Sequence, residues 1–87
     1  RGNVPNPFNP NTKVRFALAE RGHVTVRVYD LKGRLVTTLV DSERVPGEHE
    51  VVWNGTYDSG RTVSSGRYLL RMDAPDATAS HRMLLVK

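Results

Sequence analysis

The 87-residue chain contains no cysteine, which excludes disulfides and thiolate metal centres and leaves the redox compartment open. Apolar residues make up 38% of it, and no apolar run approaches the roughly 20 residues that a helical membrane span needs. Helix-forming stretches are equally scarce. The only helix-friendly piece, Ala17 to Arg21, is one turn long and stops at Gly22, too short to persist by itself in water. The start, Arg1-Gly2-Asn3-Val4-Pro5, has neither the apolar core of a secretory signal nor an initiator methionine, so the chain reads as a piece of a longer protein. At this length one domain with a single modest core is expected.

What the chain has instead is a run of short segments that alternate apolar and polar residues. The clearest is Val24-Thr25-Val26-Arg27-Val28-Tyr29, the pattern of a half-buried strand. Asp30 and Gly33 bracket a reversal, since Asp hydrogen-bonds its own backbone at a turn's first position and Gly accepts positive φ at its last. Leu35 to Val40 returns as the next strand. There Val36 and Leu39 stand three apart, so a bulge is needed to bring both inward.

Before this hairpin, residues 1–12 hold three prolines, Pro5, Pro7 and Pro10, and read as a stiff extended lead-in to a domain over 13–87. Phe8 is its one large apolar group and is expected to plug an end of the core. Lys13 to Leu18 forms a first strand with Val14, Phe16 and Leu18 on one face. After the hairpin, Asp41 to Gly47 reads as a polar loop closed by Pro46-Gly47. Glu48 to Trp53 is a strand with His49, Val51 and Trp53 on one face. Asn54-Gly55 and Asp58-Ser59-Gly60 are turn signals, and Thr62 to Ser64 a short edge strand. Arg67 to Asp73 alternates Tyr68, Leu70 and Met72 against polar positions, and Ser80 to Val86 closes the chain with Met83 and Leu85 on one side and Leu84 and Val86 on the other. Six or seven short strands with regularly spaced turns indicate an all-β antiparallel sandwich, with Trp53 as its large central residue.

Catalysis requires a nucleophile, an acid or base and an orienting group, and these are not assembled in the sequence. His23, His49 and His81 fall on separate strands or strand ends, and His49, sharing a face with Trp53, reads as a packed core-edge histidine. Asp30, Asp41, Asp58, Asp73 and Asp76 all sit at turns, where Asp has a structural role. A calcium site would need more oxygen ligands than Asp58-Ser59-Gly60 offers, and neither a phosphate-binding glycine loop nor zinc spacing is present. No enzyme, metal or cofactor is expected. Phe16, Trp53 and Tyr68 read as core, while Tyr29 and Tyr57 are the aromatics left for a sugar-binding face. The net charge of +4 comes from ten Arg and three Lys against nine acids. Such a balance can favour anionic partners, but the Arg residues are spread one per strand or turn, as on a solvated surface, and nucleic acid is not expected.

In order and spacing, Pro5-Asn6-Pro7-Phe8-Asn9-Pro10-Asn11-Thr12, Val28-Tyr29-Asp30 with Gly33 and Val36, Gly47-Glu48-His49 with Trp53-Asn54-Gly55, Gly60 with Ser65-Gly66-Arg67-Tyr68, and Met83-Leu84-Leu85-Val86-Lys87 resemble the C-terminal sorting domains of the type IX secretion system. Those domains are similar to the immunoglobulin-like domain of flagellar hook-capping proteins. The resemblance implies an immunoglobulin-like β-sandwich of about seven strands, at the C-terminus of a larger secreted protein of the Bacteroidetes and related phyla, often a glycoside hydrolase such as a xylanase, or a peptidase. It implies a monomeric, pocketless module, recognised by the outer-membrane translocon and then released or fixed at the cell surface. The recognition segment maps onto Arg82, Met83, Leu84, Leu85, Val86 and Lys87. Phe8, Phe16, Val26, Val28, Gly33, Trp53, Gly66 and Tyr68 take structural parts. The secretion machinery is the implied partner, and an anionic cell-surface polysaccharide is a second candidate. A carbohydrate-binding or passive structural module is the alternative.

Overall fold

A computed structural model describes residues 12–75 and 77–86. The chain forms strands β1 (Thr12–Leu18), β2 (Gly22–Tyr29), β3 (Leu35–Arg44), β4 (Gly47–Trp53), β5 (Gly66–Ala74) and β6 (Ala77–Leu85). All pairs are antiparallel. β1 pairs with β4 in a two-stranded sheet, and the other four form a sheet ordered β3-β2-β5-β6. The seventh strand expected at Thr62 to Ser64 is reduced to one isolated bridge, Thr56 with Thr62. Phe8 and the rest of the lead-in lie outside the described residues, apart from Thr12, which already belongs to β1.

Period-two patterning produces the core directly. Val24, Val26 and Val28 of β2 are buried to within 1%, because a central strand offers one face to the interior and hydrogen-bonds along both edges. Tyr68, Leu70 and Met72 of β5 and Met83 and Leu85 of β6 continue that face. Leu18, Val51 and Trp53 meet it from the two-stranded sheet, with Val14 and Phe16 packed at the margin. Trp53, 1% exposed, is the largest fully buried side chain. Its ring meets Tyr68 edge-to-face at 5.2 Å, an arrangement worth about 0.5–1.5 kcal/mol beyond area burial.

β3 carries the expected irregularity twice. Pairing skips Leu39 between Val26–Val40 and Arg27–Thr38, and skips Val36 between Val28–Thr37 and Tyr29–Leu35. Each extra residue rotates the strand, so Val36 and Val40 are both buried while Leu39 is only partly covered. β3 also runs on to Arg44 through the stretch read as a polar loop. Polarity there marks exposure, not a lack of backbone pairing: Asp41, Glu43 and Arg44 pair with Thr25, His23 and Gly22, and Arg21 meets Glu43 at 3.1 Å.

Two turns are held by specific chemistry. Gly33 has φ of 80° and donates its N–H to Asp30 O at 3.0 Å, while Asp30 N–H donates to Arg34 O at 3.0 Å. Gly22 is required for a different reason, since a Cβ there would stand 2.1 Å from Cγ of Pro75. The segment between β4 and β5 folds into a small reversal that seals the sandwich. Val63 within it is fully buried, and its N–H donates to Gly55 O at 2.9 Å. Trp53 Nε1 donates to Thr56 O at 3.0 Å and the Tyr68 hydroxyl to Ser64 O at 2.6 Å, so the aromatic pair in the core also anchors this segment. The Thr37 hydroxyl and Thr38 N–H donate to the Asp58 carboxylate, tying the same segment to β3.

Candidate functional site

The three histidines lie on β2, β4 and β6. His23 faces Asp41 across the β2–β3 pair. His49 stacks on Phe16 with ring centroids 5.3 Å apart and donates through Nε2 to Val45 O at 2.7 Å, the packed position expected for it. His81 is exposed. Among the described residues, His, Cys, Asp and Glu form no group of three or more that could hold a metal ion.

The candidate site is the end of the large sheet where β5 and β6 outrun β2. The β2–β5 ladder stops at Tyr29–Leu69, whereas β5–β6 pairing continues to Gly66–Leu85. At Asp30 the chain turns away, and the turn stands as a wall beside the exposed ends of β5 and β6. The result is an open groove of about 840 Å³, floored by Tyr29, Leu69 and Leu84 and bordered by Arg67, Arg71 and Arg82. The expectation of a pocketless module is corrected to that extent: unequal strand lengths create a depression that strand periodicity does not encode.

Register decides the charge pattern of this surface. Arg82 stands opposite Leu69, Arg67 opposite Leu84, and Arg71 two residues beyond Leu69 on the same face. Across the other edge of β5, Arg71 is directly opposite Arg27. Diagonal neighbours on one face lie about 7–8 Å apart at the backbone, so the like charges at their ends repel, weakly because the side chains are exposed and screened by salt. Arg71 is relieved by Asp73, 3.3 Å from its Nε. Among the described residues, Arg27, Arg67 and Arg82 form no ion pair. Four of the ten arginines, Arg27, Arg67, Arg71 and Arg82, are thus gathered on one face.

The wall is rigid. Asp30 Oδ1 accepts from the N–H of Lys32 and of Arg34, each at 2.9 Å, and Oδ2 accepts from Arg34 Nε at 3.0 Å. These bonds, led by the Arg34 N–H, hold the Asp30 carboxyl below its ordinary pKa, against a smaller opposing effect of desolvation. Burial, with lesser repulsion from Tyr57 and Asp30, raises the Tyr68 hydroxyl above its ordinary value.

Arg82, Leu84 and Val86 are exposed, with Leu84 at 68% and Val86 at 61%, while Met83 and Leu85 are buried. Lys87 lies outside the described residues. The expected recognition segment therefore divides by face, half in the core and half outward at the groove. Val26, Val28, Trp53 and Tyr68 are in the core, Phe16 packs against it, Gly33 closes the β2–β3 turn, and Gly66 opens β5. Tyr29 and Tyr57 are separated: only Tyr29 lines the groove, and the Tyr57 ring is faced by the Arg61 guanidinium at 5.7 Å.

Comparison with known proteins agrees with this architecture. FlgD from P. aeruginosa matches with a TM-score of 0.66 and 24% identity, over 87% of this chain and 61% of that one. Dimeric latent PorU from Porphyromonas gingivalis matches with a TM-score of 0.68 and 24% identity, over 94% of this chain. The chain spans 61% of the FlgD chain and 9% of the PorU chain. No curated protein matches. The FlgD Ig-like domain family matches residues 5–78, most of the chain and every strand but the greater part of β6. An immunoglobulin-like β-sandwich assembled from these residues, with its buried Trp53–Tyr68 pair, is a member of the FlgD Ig-like domain family.

Proposed function

We propose that this domain is a non-catalytic C-terminal module of a larger secreted bacterial protein, acting as a type IX secretion sorting signal and cell-surface attachment domain. The parent is a glycoside hydrolase such as a xylanase, or a peptidase, delivered through the outer membrane. The observation that carries the reading is the division of β6. Met83 and Leu85 complete the core, while Leu84 and, just past the strand, Val86 stand exposed at what is the edge of the large sheet among the described residues. An edge strand presents unpaired backbone groups to a partner, and alternate outward side chains add selectivity. A translocon component would read Arg82, Leu84, Val86 and Lys87 while the domain stays folded and monomeric.

Deleting Ser80 to Lys87 in the parent protein should leave cargo inside the envelope. That deletion also removes Met83 and Leu85 from the core, so the decisive variant is Leu84→Asp with Val86→Asp, which leaves both in place. Retention of cargo with an unchanged melting temperature is the expected result, and normal export of that variant refutes the proposal. A second reading, a carbohydrate-binding module, is favoured by Tyr29 at the groove. It predicts that soluble xylan or cellulose fragments shift the Tyr29 resonances on titration.

A further inference from the structure

We propose that the outer face at the β5–β6 end of the large sheet binds an acidic polysaccharide, with Arg67 and Arg82 holding its carboxylates and Tyr29 stacking beneath a sugar ring. The proposal deepens the attachment half of the function above and rests on it for the source of the glycan, a bacterial cell surface. The binding chemistry rests on the face alone.

Three observations converge there. The first is an excess of cations: three arginines and one carboxylate, Asp30, line the groove, and Asp30 is taken up by Arg34. Arg67 and Arg82 flank Leu69 and Leu84 in register, and among the described residues neither forms an ion pair. Arg71, shared with Asp73, and Arg27 directly opposite it extend the positive field. Like charges placed opposite one another destabilise a sheet, and an anion across them relieves the repulsion. The second is the type of cation. Every cation bordering the groove is Arg, whose planar fork matches a carboxylate in two parallel hydrogen bonds, which a Lys ammonium cannot do. The third is the floor. Tyr29 stands directly opposite Leu69, and Leu84, 68% exposed, lies diagonal to Leu69 on β6, so apolar side chains and one aromatic ring lie between the arginines, suited to the C–H face of a pyranose.

The ladder argues for a glycan over an extended peptide. From Leu69 to Asp73, β5 is paired on both sides, to β2 and to β6, so the backbone under Tyr29, Leu69 and Arg71 is already hydrogen-bonded. An acidic peptide lying there would lose the main-chain pairing that drives strand addition. A polyuronate needs only side chains: guanidinium forks for carboxylates and a ring for stacking.

The test is calorimetric titration of the purified chain with oligogalacturonate, alongside neutral xylan, poly-L-glutamate and the variants Arg67→Ala/Arg82→Ala, Tyr29→Ala and Lys13→Ala/Arg15→Ala. Oligogalacturonate should bind and xylan and poly-L-glutamate should not. The double Arg variant should weaken binding by about tenfold or more, since each tenfold corresponds to the loss of roughly one charge-assisted contact. Tyr29→Ala should weaken it by a smaller factor, and Lys13→Ala/Arg15→Ala should leave it unchanged. Amide shifts should be confined to Tyr29, Arg67 to Arg71 and Arg82 to Leu84. The inference is overturned if oligogalacturonate does not bind. It is also overturned if poly-L-glutamate binds equally well, which would indicate an acidic peptide partner, or if the Lys13/Arg15 variant loses as much as the Arg67/Arg82 variant, which would indicate unspecific charge. Arg67→Ala separates this site from the sorting role, because Arg67 lines the groove but lies outside the recognition segment: weakened binding with normal export is expected, whereas retained binding overturns the site.

Discussion

The two outer faces of the sandwich carry cations in opposite ways. On the two-stranded sheet, Lys13 and Arg15 of β1 meet Glu50 of β4 at 3.9 and 3.3 Å, with Glu48 two positions along on the same face. On the four-stranded sheet, Arg67 and Arg82 face Leu84 and Leu69 across the β5–β6 pair. One face pairs its cations with a carboxylate, whereas at the β5–β6 end of the other, among the described residues, Arg67 and Arg82 form no ion pair. The contrast shows that a net charge of +4 says little about where a field exists. Sheet register decides whether a cation finds a carboxylate or another cation.

Both faces depend on one core, and removing its centre should erase the contrast altogether. Trp53→Ala deletes a fully buried ring, its edge-to-face contact with Tyr68 and the bond to Thr56 O. A loss of about 3–5 kcal/mol is expected, read as a lower midpoint in urea unfolding. A loss below about 1 kcal/mol would mean the two sheets do not share that centre.

Charge reversal sharpens the comparison directly. Arg15→Glu places a carboxylate opposite Glu50 and should lower stability by up to about 1 kcal/mol, as expected for an exposed pair. Arg82→Glu removes a cation from a repelling cluster and should leave stability unchanged or raise it by a few tenths of a kcal/mol. Thermal unfolding at low and high salt checks both, because screening should shrink the difference. Equal effects on the two faces would contradict the asymmetry.

The smallest effect concerns the groove wall. The Asp30 carboxyl has its folded-state pKa held below 3.8, led by the Arg34 N–H bond. Its contribution is therefore present above the unfolded value and is lost as pH falls through the folded one. Asp30→Asn should flatten the acid limb of the stability profile below about pH 4. Tyr68 acts at the other extreme. Its raised pKa makes stability fully present below about pH 10 and lost as pH climbs through the folded value, and Tyr68→Phe should flatten that alkaline limb.

Much of the fold was legible in local pattern. Val24, Val26 and Val28 announced a strand with one buried face, Asp30 and Gly33 announced the turn after it, and the spacing of Val36 and Leu39 announced a bulge. The polar stretch Asp41 to Arg44 was misread as a loop because side-chain polarity reports exposure, while strand pairing is a backbone property. Val63 was read as part of an edge strand and proves to be a core seal, since nothing local reveals which short segment folds back over an open end. For the candidate site, the outward and inward halves of Arg82 to Val86 followed from alternation. The groove and the gathering of Arg67, Arg71 and Arg82 did not.

By itself the amino-acid sequence determined the strands, their buried faces and most of their turns, because alternation and turn chemistry act between residues a few positions apart. Only the tertiary structure decided which arginines stand together, where β2 stops while β5 and β6 continue, and which face keeps its charge unmatched. Those features depend on the register between strands distant in sequence. One residue of slip in β6 would turn Arg82 inward and Met83 outward, so the charged surface exists only through the pairing that buries the core.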